Sequence, residues 1–102
     1  MNNKEKKFEA LTKVLSISQS MQQKADTESW DELIDLEQQR QPLLDSIFPI
    51  EYSDNKFRIV LEKIIEINKQ LEQQCLQAKG EVQQQLQNIN GSKKALTAYQ
   101  LK

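Results

Sequence analysis

The sequence predicts an all-α protein, an antiparallel helical bundle of three main helices, the third long, plus a short C-terminal helix. Three observations predict it. Apolar residues recur at alternating intervals of three and four, the helical rather than the strand period. Two Gly and two Pro in 102 residues are too few turn formers for a many-stranded β fold. No long Ser/Thr/Gly cluster divides the chain, so residues 1–102 form one small domain with a modest shared core and no room for a catalytic cleft with a lid.

The first helix is expected over about residues 4–24. Phe8, Leu11, Leu15 and Ser18 mark one stripe, and Val14, Ile17 and Met21 widen it into a broad apolar face. Lys4, Lys6 and Lys7 at its start are read as solvating the first turn. The stretch Ala25-Asp26-Thr27-Glu28-Ser29 then breaks the pattern, and Ser29 with Glu32 three residues on reads as a capping box. So short a connection favours antiparallel neighbours.

The second helix is expected over about residues 28–47, with Trp30 as the core anchor that begins its stripe and Leu33, Leu36, Leu43, Leu44 and Ile47 continuing it. Glu37 and Arg40 interrupt that stripe at i and i+3, the spacing of a packed intrachain pair; exposed, such a pair adds only about 0.2–1 kcal/mol. Pro42 removes a backbone donor and crowds the carbonyl four residues back, which predicts a kink or a break near Gln41. Phe48-Pro49-Ile50-Glu51-Tyr52-Ser53-Asp54 reads as the loop, with Asp54 or Ser53 capping the next helix.

The third helix, about residues 54–89, carries the most regular seam: Leu61, Ile64, Asn68, Leu71, Cys75, Ala78, Val82, Gln85 and Ile89. At 1.5 Å per residue it would be about 54 Å long, against about 30 Å for each upstream helix, so roughly 20 Å of seam lacks an intrachain partner. Asn68 is either a register-setting polar seam residue or a partly exposed one at the bundle edge. Gln70, Gln73, Gln74, Gln77, Gln83, Gln84 and Gln87 make a solvated face, and Gly80 is a weak point that costs about 1 kcal/mol relative to Ala. Asn90-Gly91-Ser92 stops and restarts the helix. The closing segment, residues 92–101, places Leu96 and Tyr99 on one face of a helix too short to stand alone.

Composition narrows the function. A formal net charge of −1 carries no electrostatic signature of nucleic acid or an anionic membrane. Neither a signal-peptide pattern nor a transmembrane-length apolar run is present, which predicts a cytoplasmic protein without membrane insertion. With no His and one Cys, zinc ligands and nucleophile-base pairs are missing; no catalytic residue, metal site or cofactor is expected, and the chain does not read as an enzyme. Cys75 reads as a small apolar seam residue.

The surplus seam points instead to a protein partner. Leu71, Cys75, Ala78, Val82, Leu86 and Ile89 are the candidate partner-binding residues, and Leu96 and Tyr99 the candidate regulatory tail that competes for the same groove. A second copy of the chain would satisfy the seam equally, as a homodimer or coiled-coil oligomer.

The residues Ser18-Gln19-Ser20-Met21, then Ser29 through Arg40 with Trp30, Asp31, Leu33, Glu37 and Arg40 as the matching positions, then Leu43-Leu44 and Phe48, resemble the FliT-type flagellar export chaperones. The closing Lys94-Ala95-Leu96-Thr97-Ala98-Tyr99 is similar to the short tail of several members. The resemblance implies a small helical cytoplasmic chaperone that binds the C-terminal region of the filament-cap protein FliD, prevents its premature assembly and delivers it to the flagellar type III export apparatus, with the C-terminal helix regulating access. A chaperone for another flagellar subunit would share these features. Pro42 and the Gln-rich third helix depart from the pattern and leave the groove open.

Overall fold

A computed structural model describes residues 3–47 and 54–78. Those residues are helical, without strands, and form α1 (Asn3–Asp26), α2 (Trp30–Ile47) and α3 (Asn55–Gln77). Glu5 in the first turn of α1 and Lys24 in its last oppose the helix dipole at both ends.

The connection from α1 to α2 is a Schellman turn. The Ser29 amide donates to the Lys24 carbonyl (2.8 Å) and the Glu28 amide to that of Ala25 (3.1 Å), which closes the orphan carbonyls of the helix end. Glu28 takes the left-handed position with φ of 56°. The second helix therefore starts at Trp30 rather than Glu28, because Glu28 is the residue that reverses the chain. Ser29 accepts the first helical bond of α2 from Leu33 (3.1 Å), but its hydroxyl pairs with Thr27 Oγ1 (3.0 Å). Glu32 reaches across to Lys24 (2.8 Å) where the capping box would have turned it back.

Pro42 lies within α2, which runs through it to Ile47. The expected break at Gln41 does not occur. Leu44 and Ile47 beyond the proline are buried against α1 and α3, and that packing holds the last turn despite the lost hydrogen bond. Asp54 occupies the N-cap of α3 without a side-chain cap bond and instead pairs with Lys4. At the other end Ala78 is extended (φ −69°, ψ 148°) and caps α3; the predicted run onward to Ile89 lies outside the described residues. Within the described residues α1 has 24 residues and α3 has 23. Phe48 to Ser53 and the predicted C-terminal segment 92–101 lie outside the described residues.

Each helix buries one three-four alternating seam. In α1 it is Leu11, Val14, Ser18, Met21 and Ala25; in α2, Leu33, Glu37, Arg40, Leu44 and Ile47; in α3, Phe57, Leu61, Ile64, Asn68, Leu71 and Cys75. The α1 seam is rotated from the expected stripe: Val14 rather than Leu15 is fully buried. α1 is the central helix, packed along both others, while the backbones of α2 and α3 scarcely meet.

Two separate apolar clusters result. One joins Leu11 and Val14 to Leu44, Ile47, Phe57, Leu61, Ile64 and Ile65, with Phe8 edge-on to Phe57 at 5.3 Å. The other joins Met21, Ala25, Leu33, Leu71 and Cys75. The first is called proximal and the second distal below.

Candidate functional site

Between the two clusters lies a buried layer made of the polar seam residues: Ser18, Glu37, Arg40 and Asn68, none more than 4% exposed. Their placement follows from the sequence. Ser18 divides Val14 from Met21, Asn68 divides Ile64 from Leu71, and Glu37 with Arg40 divides Leu33 from Leu44, so equal steps along three seams bring the polar positions to one level.

Arg40 organises the layer. Its Nε and Nη2 donate to the two oxygens of Glu37 (3.3 and 2.7 Å), the bidentate fork that suits a guanidinium to a carboxylate. Nη1 donates to Ser18 Oγ (2.9 Å) and to Asn68 Oδ1 (2.7 Å). Ser18 in turn donates to the Val14 carbonyl (2.7 Å). One side chain thus ties all three helices and spans the gap where α2 and α3 backbones stand apart. Asn68 Nδ2 is buried without a partner among the described residues, a cost the layer carries.

Beyond the layer, half-buried apolar side chains surround the distal cluster: Ile17, Trp30, Ile34, Leu36, Ile67 and Ala78. Trp30 is therefore at the cluster's edge rather than at its centre. It lines an open hollow of about 420 Å3 with Glu28, Ser29, Asp31 and Glu32. Among the described residues its lining is these five consecutive residues of one turn. Leu76 on α3 is 62% exposed. The end of α1 is joined to α3 by amides: Gln22 donates to Gln74 Oε1 and to Asp26 Oδ1 (3.1 Å), and Gln74 donates to Asp26 Oδ1 (2.9 Å).

The predicted partner residues divide into three groups. Leu71 is fully buried and Cys75 is 7% exposed; both pack with Met21, Ala25 and Leu33 of the same chain in the distal cluster. Ala78 packs half-buried at the rim. Val82, Leu86, Ile89, Leu96 and Tyr99 lie outside the described residues. Burial, then the nearby Glu37 carboxylate, pushes the Cys75 thiol up to about 11, so the closed protein holds it as an unreactive thiol.

The Glu37–Arg40 pair is packed within the chain, as the i, i+3 spacing predicts, and Asn68 resolves to the buried alternative. The convergence of Ser18 with them was missed. Its signal was a hydroxyl on an otherwise apolar face at the level where the other two seams also turn polar. Among the described residues there is no group of three metal-ligating side chains and no helix long and apolar enough to cross a membrane.

Comparison with known proteins places the chain in a family. The family model FliT, described as Flagellar protein FliT, matches residues 8–101, nearly the whole chain. No curated protein and no solved structure matches.

Proposed function

This chain belongs to the FliT family of flagellar proteins, and on that premise we propose that it is a cytoplasmic export chaperone for the C-terminal region of the filament-cap protein FliD. It holds the client before assembly and delivers it to the type III export apparatus. The observation that carries the reading is the family match over residues 8–101. The distal end supports it: half-buried Trp30, Ile34, Leu36, Ile67 and Ala78 ring a small cluster, and aromatic and aliphatic groups at a partly covered surface are what a client's amphipathic helix packs against.

In this reading the client contacts the distal rim and the seam that follows it, Ala78, Val82, Leu86 and Ile89. Leu71 and Cys75 join once their cover is displaced, and Leu96 with Tyr99 competes for the same residues. Light scattering on size-exclusion eluate tests it, with the chain run alone and with a C-terminal FliD fragment. A stable mixed complex is the expected result. Self-association that excludes the fragment would assign the surface to a homo-oligomer, and no complex with this fragment but one with another flagellar subunit would change the client.

A further inference from the structure

We infer that the Ser18–Glu37–Arg40–Asn68 layer divides the helical body into two units of unequal stability, and that the distal end of α3 opens from α1 and α2 while the proximal unit stays folded. The opening uncovers Leu71 and Cys75 as an apolar helix face. Its use by a client helix rests on the function proposed above; the opening itself does not.

Five observations lead there. Buried apolar residues of the two clusters are not joined: every seam passes through a polar residue between them. Cooperativity in a small domain comes from a continuous apolar core, and a hydrogen-bonded layer transmits less of it because water can replace its bonds as the helices part. The clusters are also unequal. The proximal one holds eight buried side chains, including Phe57 and the isoleucines 47, 64 and 65, whereas the distal one holds five, of which Ala25 and Cys75 are small. Apolar burial scales with area, so the distal unit is the weaker.

The contacts that close the distal end are replaceable by solvent. Gln22, Gln74 and Asp26 join α1 to α3 through amide and carboxylate bonds at an exposed edge. Both buried polar atoms that lack partners among the described residues, Gln22 Oε1 and Asn68 Nδ2, lie at or beyond the layer. Lifting α3 hydrates them, so the opened state recovers a cost that the closed state carries. The last turns of α3 are the part that moves, since the α2 and α3 backbones hold few contacts with one another.

Cys75 reports the opening, because it is the chain's one cysteine and sits inside the distal cluster. The full chain without client is treated with excess iodoacetamide at pH 8 in increasing urea below the unfolding transition, and the rate is divided by that of an unstructured cysteine peptide. The expected rate is at least about tenfold above the rate permitted by global unfolding, with a urea dependence between zero and the global value, the signature of sub-global opening. Native-state hydrogen exchange provides a second reading: amides of residues 71–77 exchange through the same shallow dependence, and those of 61–65 only on global unfolding. A variant carrying Ser18→Ala, Glu37→Leu, Arg40→Met and Asn68→Leu joins the clusters and brings alkylation down to the global rate. Alkylation and exchange in the wild type that follow global unfolding, or alkylation insensitive to urea, would overturn the inference. Either result leaves the client assay above unaffected, so the two readings fail separately.

Discussion

Replacing Arg40 with Ala removes the guanidinium that pairs with the Glu37 carboxylate inside the protein. Glu37 is 4% exposed and receives two guanidinium bonds at 3.3 and 2.7 Å, and the substitution takes both away from a buried carboxylate. Asn68 Oδ1 loses its donor as well and joins Asn68 Nδ2 as an orphan, while Ser18 keeps its bond to the Val14 carbonyl. Breaking one side of a buried pair costs about 3–5 kcal/mol. Small domains are stable by only about 5–15 kcal/mol in total. For a chain of this size the loss lowers Tm by on the order of 15–30 °C. Urea unfolding followed by far-ultraviolet circular dichroism measures it directly. Replacing both partners, Glu37→Leu with Arg40→Met, should cost less than Arg40→Ala alone, since no charge is then left buried. A change below about 1 kcal/mol in Arg40→Ala, the scale of a solvated surface pair, would refute the buried layer.

Further substitutions probe other elements. Glu28→Gly should stabilise the protein by about 1 kcal/mol in urea unfolding, because glycine holds the left-handed turn position without the Cβ clash that Glu28 bears at φ 56°. Pro42→Ala restores the missing helical bond at an exposed site and should add about 1–3 kcal/mol, measured the same way. Phe57→Ala, which empties the centre of the proximal cluster and removes the edge contact to Phe8, should cost about 3–5 kcal/mol. Cys75 gives a pH window: its folded-state value of about 11 exceeds the ordinary 9.0, so its contribution is intact below pH 9 and is lost as pH rises through 11. Wild type should therefore lose up to about 2–3 kcal/mol over that range relative to Cys75→Ala, from the two-unit difference in binding one proton; parallel pH profiles would contradict the burial of the thiol.

The helical class and the three-element order were legible because seam periodicity is written into each segment. Pairing of Glu37 with Arg40 was legible from i, i+3 spacing alone. Three things were not. Glu28 reverses the chain without glycine, so the turn left no sign at the residue that makes it. Pro42 carries a strong local breaking signal that packing of Leu44 and Ile47 overrides. The polar layer required knowing how three seams align along their axes, which no single segment encodes.

The central claim is that this FliT-family chain holds its client at the distal half of the helical body. Hydrogen exchange read by mass spectrometry, with and without the C-terminal FliD fragment at saturating concentration, tests it most directly. Client-dependent slowing is expected at Met21–Asp26, Trp30–Ile34 and Leu71–Ala78, with residues 57–65 unchanged. Slowing confined to residues 8–14, 44–47 and 57–65, or none in the presence of a demonstrated complex, would contradict it.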